Sequence, residues 1–71
     1  DAPGYIVVFN ENIDAAAEVN RLINIYEIQV GFIYGAALNG FSAEMTDDTR
    51  EQLRCESSVA YFEYNSQASI N

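Results

Sequence analysis

Residues 27–45 run Glu27-Ile28-Gln29-Val30-Gly31-Phe32-Ile33-Tyr34, then Gly35-Ala36-Ala37-Leu38-Asn39-Gly40, then Phe41-Ser42-Ala43-Glu44-Met45. The first segment alternates loosely and is rich in Ile, Val, Phe and Tyr, the composition of a strand. The last sets Phe41, Ala43 and Met45 against Ser42 and Glu44, the period of a half-buried strand. Two successive strands with no helix between them decide the order of elements. The turn joining them has two readings. Asn39-Gly40 suits a tight two-residue hairpin, which local turn chemistry favours. Alternatively the turn lies at Gly35 to Leu38, and Gly40 sits inside the third strand.

Working outward, Tyr5-Ile6-Val7-Val8-Phe9 is β-branched and aromatic throughout and follows Pro3-Gly4, which reads as the first strand. Asn10-Glu11-Asn12 ends it. From Ile13 to Ile25, Ala15, Ala16, Val19, Leu22 and Ile23 fall at helical spacing. Asn12 or Asp14 is the expected N-cap, and Asp14 and Glu18 complement the helix dipole. Past the third strand, Thr46 is the expected cap of a helix over Thr49 to Glu56, with Asp47 and Asp48 in its first turn. Ser57-Ser58 ends that helix, and Val59 to Tyr64 reads as the fourth strand. Ser66 to Asn71 is a small, polar tail whose apolar member is Ile70.

The order βαββαβ predicts an α+β, ferredoxin-like sandwich: a four-stranded antiparallel sheet with two helices on one face. Such a sheet should alternate apolar-in and polar-out. The first strand does not, because Ile6 and Val8 are as apolar as Val7 and Phe9. The fourth is read with Ala60 and Phe62 on one face, Val59 and Tyr61 on the other. Apolar side chains therefore reach the uncovered face. Scattered surface apolars are ordinary; a face built for another protein is the sharper reading.

Composition narrows the function. The 71 residues carry 11 acidic and 3 basic groups, a net charge of −8, with no His. The basic residues are Arg21, Arg50 and Arg54, so no phosphate-binding surface is expected and nucleic acid is not a partner. No apolar run approaches a membrane span. Cys55 is the lone cysteine, which leaves no internal disulfide and no zinc ligand set, and it is expected as a part-buried helix residue. Without an initiator Met, the chain reads as a processed or trimmed piece of a longer protein.

The core must hold this domain without staples. A chain of this mass buries roughly 7,000 Å² on folding. With about 60% of that apolar, burial contributes on the order of 105 kcal/mol at about 25 cal/mol/Å². Ordering costs on the order of 105 kcal/mol at about 1.5 kcal/mol per residue. Stability is thus marginal and would rise on binding a partner that takes only the folded form.

Four segments together resemble the propeptide and inhibitor I9 domains of subtilisin-like serine proteases. They are Tyr5-Ile6-Val7-Val8-Phe9; Tyr34 followed by Asn39-Gly40-Phe41-Ser42-Ala43-Glu44-Met45; Leu53-Arg54; and Val59-Ala60-Tyr61-Phe62-Glu63. They lie in order at family spacing, the resemblance runs from Tyr5 to the C-terminus, and the proteinase K-like branch is the nearest in feel. It favours Gly40 inside the third strand. It implies a domain over residues 1–65 that helps its protease fold, is cut off, and stays bound as an inhibitor. It implies that residues 66–71 form an extended tail in the protease cleft, with Ala68, Ser69, Ile70 and Asn71 in successive subsites. It implies that Glu63 meets helix N-termini on the enzyme, where unpaired N–H groups favour a carboxylate. The family often has Asp at the position held here by Asn65, which can accept a hydrogen bond but lacks the charge. The implied partner is a subtilisin-like serine protease, with no cofactor and no metal, in the secretory pathway or outside the cell. A free-standing inhibitor of the same fold is the runner-up, and it would also suit a vacuolar or cytoplasmic setting.

Other classes fit less well. A hydrolase needs a base beside its nucleophile, and Ser42, Ser57, Ser58, Ser66 and Ser69 have no His to serve them. Glu44, Asp47 and Asp48 suggest a carboxylate or divalent-cation site, but the last two are better explained as helix-start charges. An RNA-binding module would use surface aromatics such as Tyr5 and Tyr61 with basic neighbours, which the acidic balance opposes. A ferredoxin-like regulatory module remains the third class.

Overall fold

The computed structural model describes residues 4–35 and 38–64. Strand β1 (Gly4–Phe9) leads through Asn10 to Asp14 into helix α1 (Ala15–Ile25). Strands β2 (Gln29–Tyr34) and β3 (Gly40–Glu44) follow, then helix α2 (Asp47–Leu53) and strand β4 (Val59–Tyr64). The sheet order is β2-β3-β1-β4, and every neighbouring pair is antiparallel. This is the expected α+β ferredoxin-like sandwich. Both helices contribute to one core: Ala15, Val19 and Leu22 of α1 and Leu53 of α2 pack with Val7, Phe9, Phe41, Ala43 and Met45.

The caps follow local chemistry. Asp14 caps α1 through its carboxylate, which accepts from the Ala17 amide, and Thr46 Oγ1 accepts from the Thr49 amide at 3.2 Å to cap α2. Asp47 and Asp48 occupy the first turn of α2. That helix ends earlier than its sequence suggests. The Cys55 and Glu56 amides bond back to the Gln52 and Leu53 carbonyls, so the chain tightens out of the α-helix after Leu53. Cys55 therefore lies in an exposed turn, which corrects the expectation of a part-buried helix residue.

Gly40 sits inside β3, opposite Tyr34 on one side and Val8 on the other. No described glycine has positive φ, so Asn39-Gly40 does not form the tight hairpin turn that local rules favour. The pair has a different task. Asn39 Nδ2 donates to the carbonyls of Asn10 (2.9 Å) and Ile13 (2.7 Å), and its own carbonyl accepts from the Phe9 amide (2.7 Å). It ties the β2–β3 connection to the segment between β1 and α1.

A polar latch joins α1 to the loop before β4. Arg21 donates to Glu18 and Glu56, Tyr26 Oη donates to Glu56, and Ser58 Oγ donates to Glu18 at 2.7 Å. The Arg21 and Ser58 hydrogen bonds hold the Glu18 carboxyl below the usual carboxylate range. Those from Tyr26 and Arg21 do the same for Glu56. Both folded-state values are depressed, so the latch contributes fully above the unfolded carboxylate pKa of about 4.3 and fades as pH falls through the folded values. The urea midpoint should fall as the pH drops below about 5, and Arg21→Met should flatten that fall. Parallel pH profiles for the two proteins would show that the latch contributes nothing.

Candidate protein-binding face

Alternation about Val7 sorts the sheet into two faces. Val7 pairs with Phe41 and with Phe62, and these side chains belong to the helix-covered core or pack against it. Its neighbours turn the other way. Ile6 pairs with Ser42 and Glu63, and Val8 with Gly40 and Tyr61. Phe32 lies opposite Ser42, and Tyr34 opposite Gly40. Together with Glu44, these residues form the face that no helix covers.

Two irregularities set its composition. The register of β1 against β4 shifts between Val8 and Phe9. The shift leaves Ala60 as the extra residue, so Val59 and Phe62 both pack against the core. Tyr61 and Glu63 are left on the open face. Strict alternation, which paired Val59 with Tyr61, is corrected by this bulge. A second shift between Val30 and Phe32 makes Gly31 the extra residue of β2, and Phe32 and Tyr34 emerge on the open face. Their rings pack edge to face with centroids 4.9 Å apart. Phe32 is 61% exposed and Tyr61 49%. Sequence reasoning named neither Phe32 nor Tyr34 for this face; the interior Gly31 was the signal, because a glycine within a strand marks a bulge.

Charge divides between the two sides. Arg21 binds Glu18 and Glu56, Arg54 binds Glu51, and Arg50 meets Glu51 and lies over the Tyr5 ring. All three belong to the helices or, for Arg54, to the C-cap of α2. On the open face the charged groups among the described residues are Glu44 and Glu63. Neither has a hydrogen-bond or ion-pair partner among those residues. A sheet face with exposed aromatics and unpaired carboxylates is suited to binding another macromolecule.

The other candidates are dispersed. Tyr5 lies on the helix side, donating to Asp47 at 2.7 Å with Phe62 and Tyr64 edge-on around it, so it shares no stacking platform with Tyr61. Glu44 faces away from the helix that carries Asp47 and Asp48. Ser42 is 8% exposed between Ile6 and Phe32, and Ser58 donates to Glu18. Among the described residues no three metal-ligating side chains converge, and no helix is long and apolar enough to cross a membrane. Asn65, Ala68, Ser69, Ile70 and Asn71 lie outside the described residues.

The peptidase inhibitor I9 family profile matches residues 4–71. The chain belongs to the peptidase inhibitor I9 family. The match spans all six elements of the sandwich. A comparison with individual curated proteins finds no match. Membership makes this I9 domain a protease-inhibitor module of the propeptide type, associated with subtilisin-like proteases.

Proposed function

We propose that this I9 domain is the propeptide of a subtilisin-like serine protease, acting as an intramolecular chaperone and then as a tight-binding inhibitor. The observation that carries the reading is the open face: Phe32 and Tyr34 stand at its β2 edge, and Tyr61 and Glu63, a carboxylate with no partner among the described residues, at its β4 edge, on the strand that precedes residues 65–71. The face packs on surface helices of the protease. Glu63, assisted by Asn65, accepts hydrogen bonds from the unpaired N–H groups at their N-termini. Residues 66–71 then run into the cleft as an added strand, held by backbone hydrogen bonds, with Ala68, Ser69, Ile70 and Asn71 in consecutive subsites. Anchoring by the sheet keeps the cut tail at high effective concentration, which slows its release. The chaperone role follows from marginal stability: each partner gains from the folded form of the other. A protease of this class places the domain in the secretory pathway.

A free-standing inhibitor would use the same face and tail. The two readings part on whether inhibition fades as the domain is digested. A proteinase K-like protease is the first enzyme to assay. Glu63→Ala should weaken inhibition by about 1–3 kcal/mol, the cost of leaving helix N–H groups without their acceptor. An unchanged inhibition constant would remove that contact from the interface.

A further inference from the structure

The open face is not uniformly filled. At the end where β2, β3 and β1 lie side by side, Gly4 and Gly31 offer no side chains and Ser42 only a small one. A depression of about 240 Å³ results. Gln29 and Glu44 pair across β2 and β3 at its rim, and Glu44 also pairs with Gly4. A Cβ on Gly31 would come within 3.1 Å of Ser42 Oγ, so the glycine leaves room for a polar group at that otherwise largely buried hydroxyl. A carboxylate, an amide and a hydroxyl thus surround a space that no side chain of the described residues fills.

The sign of the site selects its occupant. Every arginine belongs to the helices or the cap of α2 and meets a glutamate there, whereas Glu44 has no partner among the described residues. We infer that this depression receives one lysine or arginine side chain from the surface of the protein that covers the sheet. The apolar stem lies over Gly4 and Gly31, and the charged head donates to Glu44 and to Ser42 Oγ. Glu44 and Glu63 flank β1 on opposite sides with their partners on it two residues apart, so their backbones are about 12 Å apart. The basic side chain therefore meets the face about 12 Å from the group that Glu63 binds. This inference rests on the proposed protease partnership and adds a specificity contact to it.

The test compares inhibition of a subtilisin-like protease by the wild-type chain, Glu44→Gln and Glu51→Gln at low and high salt. Glu51 lies on α2, on the covered side, and serves as the charge-matched control. Glu44→Gln should raise the inhibition constant about tenfold at low salt, with a smaller ratio at high salt, while Glu51→Gln matches the wild type. Thermal melts of each variant separate binding from folding. Wild-type inhibition with Glu44→Gln unchanged, or with both variants weakened alike, overturns the basic-side-chain site and leaves the protease reading standing. Absence of inhibition by the wild type across several such proteases overturns both.

Discussion

Gly40→Ala is expected to remove the cooperative thermal transition of this domain. A Cβ at position 40 would sit on the Val7 carbonyl oxygen, 3.0 Å from the Val7 carbonyl carbon and 3.1 Å from Val8 Cα. All three atoms are backbone of β1, the strand that pairs with both β3 and β4. No rotamer change relieves such a contact; the central strands must separate. Overpacking costs about 1–3 kcal/mol where side chains can adjust, and more where they cannot. A domain of this size has only a few kcal/mol in hand. Gly35→Ala is the control, because nothing lies within 4 Å of a Cβ there. Circular dichroism melts should show a cooperative transition for Gly35→Ala and a featureless trace for Gly40→Ala. A Gly40→Ala midpoint within a few degrees of wild type would mean that β3 and β1 are not this close.

That residue also shows where sequence reasoning reaches its limit. Asn-Gly between two apolar runs satisfies the local rule for a hairpin, and the rule fails because tertiary approach, not φ, requires the glycine. The resemblance to I9 domains placed Gly40 inside the third strand, where it is found. The element order and the Thr46 cap of α2 were legible, and the cap of α1 was narrowed to Asn12 or Asp14, of which Asp14 is the one found, since each depends on neighbours in sequence. The bulge at Ala60 has no local mark and the one at Gly31 is marked only by its glycine, yet the two decide which side of the sheet Phe32, Tyr34, Val59 and Tyr61 face. The Glu18–Arg21–Glu56–Ser58 latch was equally hidden, because its members come from α1 and from a loop that only the fold brings together. Cys55 was read as helical because nothing local marks the tightening after Leu53. The cleft-binding assignment of Ala68 to Asn71 came from resemblance alone and falls outside the described residues.

Removal of Ser69, Ile70 and Asn71 should weaken inhibition by about a hundredfold or more while leaving the thermal midpoint unchanged. If the tail binds as an added strand, the three residues supply several backbone hydrogen bonds, each contributing about 0.5–1.5 kcal/mol, together with their subsite contacts. A loss of about 3 kcal/mol corresponds to more than a hundredfold in the inhibition constant. Every described contact lies within residues 4–64, so the deletion leaves all of them in place. The truncated chain should still bind the protease through its sheet face without blocking substrate, which a competition between the two forms would read. Equal inhibition by the two forms would mean that the tail does not occupy the cleft.

The most direct measurement is the time course of inhibition of a subtilisin-like protease, proteinase K-like enzymes included, by the purified chain over several hours. A propeptide should inhibit tightly at first and then lose potency as the protease digests it, because a marginally stable domain samples its unfolded form often. Persistent tight inhibition would contradict the propeptide assignment and identify a free-standing inhibitor. No inhibition of any such protease would contradict the account as a whole.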